Sequence, residues 1–452
     1  PLEVPASAYY GVQTARAVAN FPISGERLHP EMVRAATRIK IAAARANAEL
    51  GVLDTAKADA IVRAGEEILA GKHDDQFVVD AYQAGAGTSF HMNVNEVIAN
   101  RGAELLGGQR GDAKLLSPND HVNMAQSTND VIPTAMRLSA YVLTGPVVEE
   151  MHALARSLGE RARAFAGVLK SGRTHLQDAV PVTLGQEFGG YQVCVAGWAA
   201  SLERSRAGLL ALGLGGNAAG TGINAHPQYR ERAVAQLATM MNAPFTSSPN
   251  LFEAMQSMAP FVRVSNDLRG FALDLTRIAN DLRLLASGPT TGFNEIGLPA
   301  VQPGSSIMPG KVNPVMLEMT NMVCYQILGY DTTVAYAAQA GQLELNVMMP
   351  VIAHNLLRAL QILAPALKAL REKCVDGITA NEEVGRGYFD RSISVATALN
   401  PYIGYLAAAE VAKESAKTGK TVVQIVREKK LLTEEQIAKV FSPEGMTHPG
   451  GN

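Results

Sequence analysis

Four short segments hold residue types able to grip and deprotonate a small anion. Residues 304–314 read Gly-Ser-Ser-Ile-Met-Pro-Gly-Lys-Val-Asn-Pro, which sets two hydroxyls (Ser305, Ser306), an ammonium (Lys311) and a carboxamide (Asn313) in a Gly/Pro-punctuated loop. By composition alone this is equally a surface turn. Residues 126–130, Gln-Ser-Thr-Asn-Asp, stand directly before a helical segment with Pro133 in its first turn, so Ser127, Thr128 or Asn129 is expected to cap that helix. A cap explains them without any function, yet hydroxyls and free amides at a helix N-terminus also make a carboxylate site. Gly87-Thr88-Ser89, followed by Asn93 and Asn95, forms another hydroxyl and amide cluster, and Thr174-His175 lies between two helical segments. A lone loop histidine is more often solvated or structurally bonded than catalytic.

Other chemistries find less support. His29, His73, His152 and His226 lack metal-ligand spacing, and Cys194, Cys324 and Cys374 form no CxxC pair, so neither a metal site nor a disulfide framework is expected and a reducing, cytoplasmic setting fits. The Gly-rich stretch 213–222 lacks the Gly-Lys-Ser/Thr ending of a phosphate loop and follows no predicted strand, which leaves a tight inter-helix loop with its backbone close to a site.

The elements that must position these groups are long helices. Phe261, Val264, Leu268, Phe271, Leu275, Ile278, Leu282 and Leu285 recur at spacings of three and four, between Pro260 and Gly288-Pro289. A second seam runs through Leu345, Met349, Ile352, Leu356, Ala359, Leu363, Leu367 and Leu370, with kinks expected at Pro350 and Pro365. Two further helices fit 131–168 and 184–212, and nothing suggests a sizeable sheet, so the fold class is all-α. Helices this long and apolar usually need partners beyond their own chain, which predicts a homo-oligomer. The pattern changes from loop-rich sequence to long helices near 129, and to shorter elements near 384, one of them opening with the capping box Thr433-Glu-Glu-Gln436. Domains are therefore expected at 1–128, 129–383 and 384–452.

With 452 residues, 47% hydrophobic and 18% charged, the chain can bury a large core. Forty Lys+Arg against 42 Asp+Glu leave no basic stripe for nucleic acid and no polybasic membrane anchor, so attraction of an anionic substrate must be local. No apolar run is read as a membrane span and no signal peptide is visible; Pro1 is not an initiator residue, so native residues are expected to precede it.

Taken together, the strings 304–314 and 126–130, Thr174-His-Leu-Gln-Asp178 and Gly220-Thr-Gly-Ile-Asn224 resemble the aspartase/fumarase superfamily in order and interval. The first is the family signature, and the similarity runs from Ala8-Tyr-Tyr-Gly-Val-Gln-Thr14 to the last helix. The resemblance implies three helical domains, a central bundle that associates into a homotetramer with shared active sites, a small dicarboxylate substrate and no cofactor. It implies Ser305 as the base that takes the Cβ proton, Lys311 and Asn313 on the α-carboxylate, and Thr88, Ser127, Thr128 and Ser306 on the β-carboxylate. His175 and Thr174 would contact the amino or α-carboxylate end with Asn129, and Glu318 would pair with His175.

Within that family, Ser117-Pro118, Met124, the Ser-Thr-Asn order at 127–129, Gly87-Thr-Ser89 and Gly341-Gln-Leu-Glu-Leu-Asn346 resemble the aspartase branch, which removes ammonia from L-aspartate to leave fumarate. Fumarases typically carry His-Pro, Lys, Ser-Ser-Asn, Gly-Thr-Gln and Asn-Phe-Glu-Leu-Asn there. Phe90-His91 departs from the Met-Asn usual in aspartases, Met349 replaces a usual Glu, and His354-Asn355 resembles fumarase. His91 lies three residues beyond Thr88, where it bears on affinity or substrate choice.

Overall fold

The structure, a computed structural model, describes residues 2–448; Pro1 and the expectation attached to it lie outside the described residues. The chain is 64% helical with little strand, as an all-α fold requires. Helices α1 (Val12–Asn20), α2 (Pro30–Glu49), α3 (Thr55–Leu69) and α4 (Thr88–Leu105) precede the 37-residue α5 (Thr128–Ala164). A hairpin, β1 (Leu169–Thr174) and β2 (Gln177–Thr183), leads into α6 (Leu184–Ala207), α7 (Tyr229–Met241), α8 (Leu251–Gln256) and α9 (Ala259–Leu285). Then come α10 (Val315–Gln339) and α11 (Met349–Lys373). Short helices close the chain: α12 (Glu382–Arg391), α13 (Asn400–Ile403), α14 (Tyr405–Thr418), α15 (Val422–Glu428), α16 (Glu434–Val440) and α17 (Pro443–Thr447).

The seams behave as their spacing dictates. All eight seam residues of α9, from Phe261 to Leu285, are buried, as are Met349, Ile352, Leu356, Ala359, Leu363, Leu367 and Leu370 of α11. Each such side chain larger than Ala359 contributes on the order of 1.5–3 kcal/mol by leaving water. Pro350 does not kink α11 but sits in its first turn, where a missing N–H costs nothing; Leu345 lies before the helix, while Pro365 is inside it. In α5, an 18-residue window is apolar enough by length and composition to cross a membrane, but 78% of it is buried within the chain, as in a core helix.

Two helical regions escape a periodicity reading. The sequence before 129 is not loop-rich: it forms α1 to α4, and 14 of the 20 residues of α2 are buried, many of them alanines, so no narrow stripe stands out. In α10, one face (Leu317, Cys324, Ile327, Val334) is buried while Met322, Tyr325 and Tyr336 are exposed at heptad-compatible spacing. Two seams on one helix read as an unpatterned apolar run.

The chain condenses into two compact units, one of residues 1–148, 200–272 and 325–364, the other of residues 149–199, 273–324 and 365–452. In the first, α2 packs on α3 and α7, and α3 on α4. The carboxylate of Glu96 in α4 accepts the backbone N–H groups of Gly11, Gln13 and Thr14, anchoring the N-terminus of α1. In the second, the antiparallel hairpin packs on α12. Val395, Leu399, Val411, Ile425, Val426, Ile437 and Val440 form a core with Leu169 and Phe389. Its short helices depend on their caps, and the Thr433–Gln436 capping box is formed in both directions.

Candidate active site

In the first unit the candidate residues gather at the start of α5. Ser127 Oγ accepts the Asn129 N–H at 3.3 Å while Asp130 Oδ1 accepts the Ser127 N–H at 2.9 Å, so Ser127 is the cap and Asp130 answers it. The other oxygen of Asp130 accepts the N–H groups of Gly215 (3.0 Å) and Asn217 (2.9 Å), and Asn129 Nδ2 donates to Ala218 O at 2.8 Å. The glycine-rich loop is thereby laid against the helix start, as its composition predicts. Gly215 has φ +91° and an added Cβ there would meet Arg230 Cβ at 2.7 Å, so only glycine fits that approach. Burial raises the Asp130 carboxyl to about 6 against the opposing pull of its three backbone donors.

Beneath this surface lies a buried polar chain. His91 Nδ1 is 2.8 Å from Thr128 Oγ1, and its Nε2 is 2.7 Å from Lys40 Nζ, which also donates to Asn123 Oδ1 (3.0 Å) and Gln126 Oε1 (2.9 Å). Both His91 and Lys40 are buried. Thr88, exposed, opens α4 after the left-handed Gly87.

In the second unit Thr174 and His175 are exposed on the hairpin rather than in a loop between helices. Thr174 pairs with Gln177, so His175 and Leu176 make a two-residue turn, both at positive φ (52° and 60°). For a branched side chain like Leu176 this is strained backbone, a feature that persists where the surroundings over-determine it. The hairpin is held by buried charge: Lys170 contacts Glu187 (2.9 Å) and Glu295 (2.8 Å), and Arg173 makes two bonds to Glu295 at 2.9 and 3.0 Å.

The signature loop is closed at its base. Gly304 N–H donates to Lys311 O at 2.8 Å, and Asn313 Nδ2 donates to Gly304 O at 2.7 Å. Within the loop, Ser305 Oγ accepts the backbone N–H groups of Ile307 (3.2 Å) and Met308 (3.1 Å), two donors aimed at the oxygen that a proton would leave. Ser306 and Lys311 are exposed. Glu318 lies in the first turn of α10, and within the chain no ion pair joins it to His175 among the described residues. An added Cβ at Gly304 would lie 2.6 Å from Asn313 N and 2.7 Å from Lys311 O, both backbone. Gly304→Ala is therefore expected to open the loop and lower kcat/KM by roughly 10²-fold, as misplaced catalytic groups do. The melting temperature should stay near that of the parent, because the loop carries no core side chain; calorimetry beside steady-state kinetics checks both.

Thr88, Ser127, Thr128 and Asn129 thus belong to one unit, and Thr174, His175, Ser305, Ser306, Lys311, Asn313 and Glu318 to the other. Periodicity and motif reading did not single out Lys40 or Asp130. The trace of Lys40 was a lysine between Ile39 and Ile41 in an apolar run, a place where lysine is almost never found without partners. No group of three or more His, Cys, Asp or Glu side chains suited to a metal occurs among the described residues.

A helix cap, a hairpin histidine and a serine in a closed loop are features found on many folds, and comparison with known proteins decides among them. Residues 1–329 match the family described as Lyase, and residues 395–448 the one described as Fumarase C C-terminus. This chain belongs to the aspartase/fumarase superfamily of lyases. It is 46% identical to an aspartate ammonia-lyase of Bacillus sp, covering 99% of this chain and 96% of that one. It is 50% identical to a class II fumarate hydratase of Halobacterium salinarum, with the same coverage of 99% and 96%. The structure of fumarate lyase:delta crystallin from Brucella melitensis bound to cobalt superposes with a TM-score of 0.95 at 47% identity, covering 99% of this lyase and 98% of that chain.

Proposed function

We propose that this lyase is an aspartate ammonia-lyase, eliminating ammonia from L-aspartate to leave fumarate. The observation that carries the choice is the segment 117–130, where Ser117, Met124 and Thr128 stand at positions that in fumarases typically hold His, Lys and Ser, in a chain with several aspartate ammonia-lyases among its relatives. The hard step is removal of a weakly acidic Cβ proton beside a carboxylate, which leaves an aci-carboxylate with an extra negative charge. Ser305 is the base. Serine is a poor base at its ordinary pKa, and the two N–H groups on Ser305 Oγ stabilise its alkoxide. Lys311 and Asn313 hold the α-carboxylate, with the Nδ2 of Asn313 also fastening the loop. Thr88, Ser127, Thr128 and Ser306 donate to the β-carboxylate, where charge accumulates. Thr174, His175 and Asn129 serve the amino end, with Glu318 supporting the histidine from another subunit of a homotetramer. The exposed heptad-spaced Met322, Tyr325 and Tyr336 of α10 support such an assembly, since a second apolar seam calls for a second partner.

The 50% identity to a class II fumarate hydratase favours a second reading, hydration of fumarate to malate. Absorbance of fumarate on mixing with L-aspartate, and separately with L-malate, followed by an ammonia assay, separates the two. Fumarate and ammonia from aspartate alone is the expected result; turnover of malate alone would replace the proposal with the fumarase reading.

A further inference from the structure

The buried chain behind Thr128 has a polarity that its valences dictate. Gln126 Nε2 donates to the carbonyls of Val122 and Met124, both at 3.1 Å, and Asn123 Nδ2 donates to Gln126 O at 3.2 Å. Those carbonyls fix both carboxamides with their oxygens toward Lys40. As an ammonium, Lys40 has three protons and three acceptors: Asn123 Oδ1, Gln126 Oε1 and His91 Nε2. The Nε2 of a neutral His91 must then carry the lone pair and Nδ1 the proton. That proton goes to Thr128 Oγ1, 2.8 Å away. The hydroxyl hydrogen of Thr128 cannot also point at His91, and it meets no other acceptor among the described residues. It is left to point away from the buried chain at the N-terminus of α5.

We propose that Lys40 and His91 are a positioning pair that holds Thr128 as an obligate hydrogen-bond donor to the substrate carboxylate. This rests on the reading of Thr128 as a substrate contact. The pair acts through Thr128 and touches no reacting atom. Release of one proton to solvent reverses the chain: Lys40 gives a proton to His91 Nε2, Nδ1 gives its own to Thr128 Oγ1, and the outward hydroxyl proton of Thr128 leaves. The neutral Lys40 amine then accepts from His91 Nε2–H, Nδ1 accepts the remaining Thr128 proton, and Thr128 turns its lone pairs outward, toward an anion it would then repel. Burial keeps His91 neutral, its pKa well below the ordinary value, with the neighbouring Lys40 charge adding to the effect. Burial also brings Lys40 down to about 7, opposed by the carboxylate of Asp130 in α5. The titratable groups around Lys40 are thus His91 from α4 and Asp130 from α5, with Tyr229 from α7 beside Asp130. The reversal accordingly falls near neutral pH, and donation to the carboxylate belongs to the acid side.

The test is the tautomer of His91 in the full-length protein labelled with 15N only at histidine, its signals assigned by loss in His91→Asn, with succinate as a saturated dicarboxylate probe. The expected result is a neutral Nδ1–H imidazole at about pH 6, below the ordinary lysine range. In Lys40→Met, the freed Asn123 and Gln126 oxygens should draw the proton to Nε2, and the Kd for succinate should rise roughly tenfold, the loss of one hydrogen bond to a charged group. An Nε2–H tautomer or an imidazolium in the unsubstituted protein at that pH overturns the pair, and needs no variant to fold. An Nδ1–H tautomer with succinate affinity equal in the parent and Thr128→Val overturns the proposal through its other premise, that Thr128 meets the carboxylate.

Discussion

Ser305→Ala is expected to lower fumarate formation from L-aspartate by about 10²–10⁴-fold, the range that a positioned general base supplies, while melting temperature and oligomeric state should stay as in the parent. The two halves of this expectation have separate causes. Ser305 lies in a loop whose closure depends on Gly304, Lys311 and Asn313, and among the described residues its Oγ is bonded only to the backbone of Ile307 and Met308, so losing the hydroxyl removes no core contact. The same two N–H groups lower the cost of an alkoxide at that atom and at no other in the loop. Steady-state kinetics beside size-exclusion chromatography checks the expectation. A folded variant with full activity would take the base assignment away from Ser305.

Lys311→Met is expected to act on binding more than on chemistry. A hydrogen bond to a charged group contributes about 1.5–3 kcal/mol, so KM for L-aspartate should rise roughly ten- to a hundredfold, with kcat changed less. The Lys311 carbonyl closes the loop through Gly304 N–H, and this backbone bond survives the substitution. An unchanged KM would show that the α-carboxylate is held elsewhere. A fall in kcat with KM unmoved would instead place the ammonium on charge that develops only in the transition state.

The residues carrying these predictions were visible before any coordinate because each is a polar type in a place that punctuates the chain. Ser305, Lys311 and Asn313 stand in a Gly/Pro-broken loop, and Ser127 to Asn129 where a helix must begin. The long helices were legible where one face alone is apolar, as in α9. They were lost where burial is nearly all-round, as in α2, or where a second apolar face is exposed, as in α10, because periodicity vanishes when two faces are apolar. The hairpin carrying His175 was missed for a related reason: its turn residues, His175 and Leu176, take a left-handed conformation that their side chains do not advertise.

By itself the sequence determined the all-α class, the family, the chemical types among the candidate residues of each unit and the cap at the start of α5, since these depend on local spacing and on residues that act through their own backbone neighbours. Only the tertiary structure decided the rest. It closed the signature loop with Asn313 on Gly304, tied the glycine-rich loop to Asp130, and set Lys40 against His91 and Thr128 from three segments separated by 51 and 37 residues. Those partnerships are long-range because a buried polar group must be satisfied by whatever the fold brings to it, and nothing in its own neighbourhood of the chain names that partner.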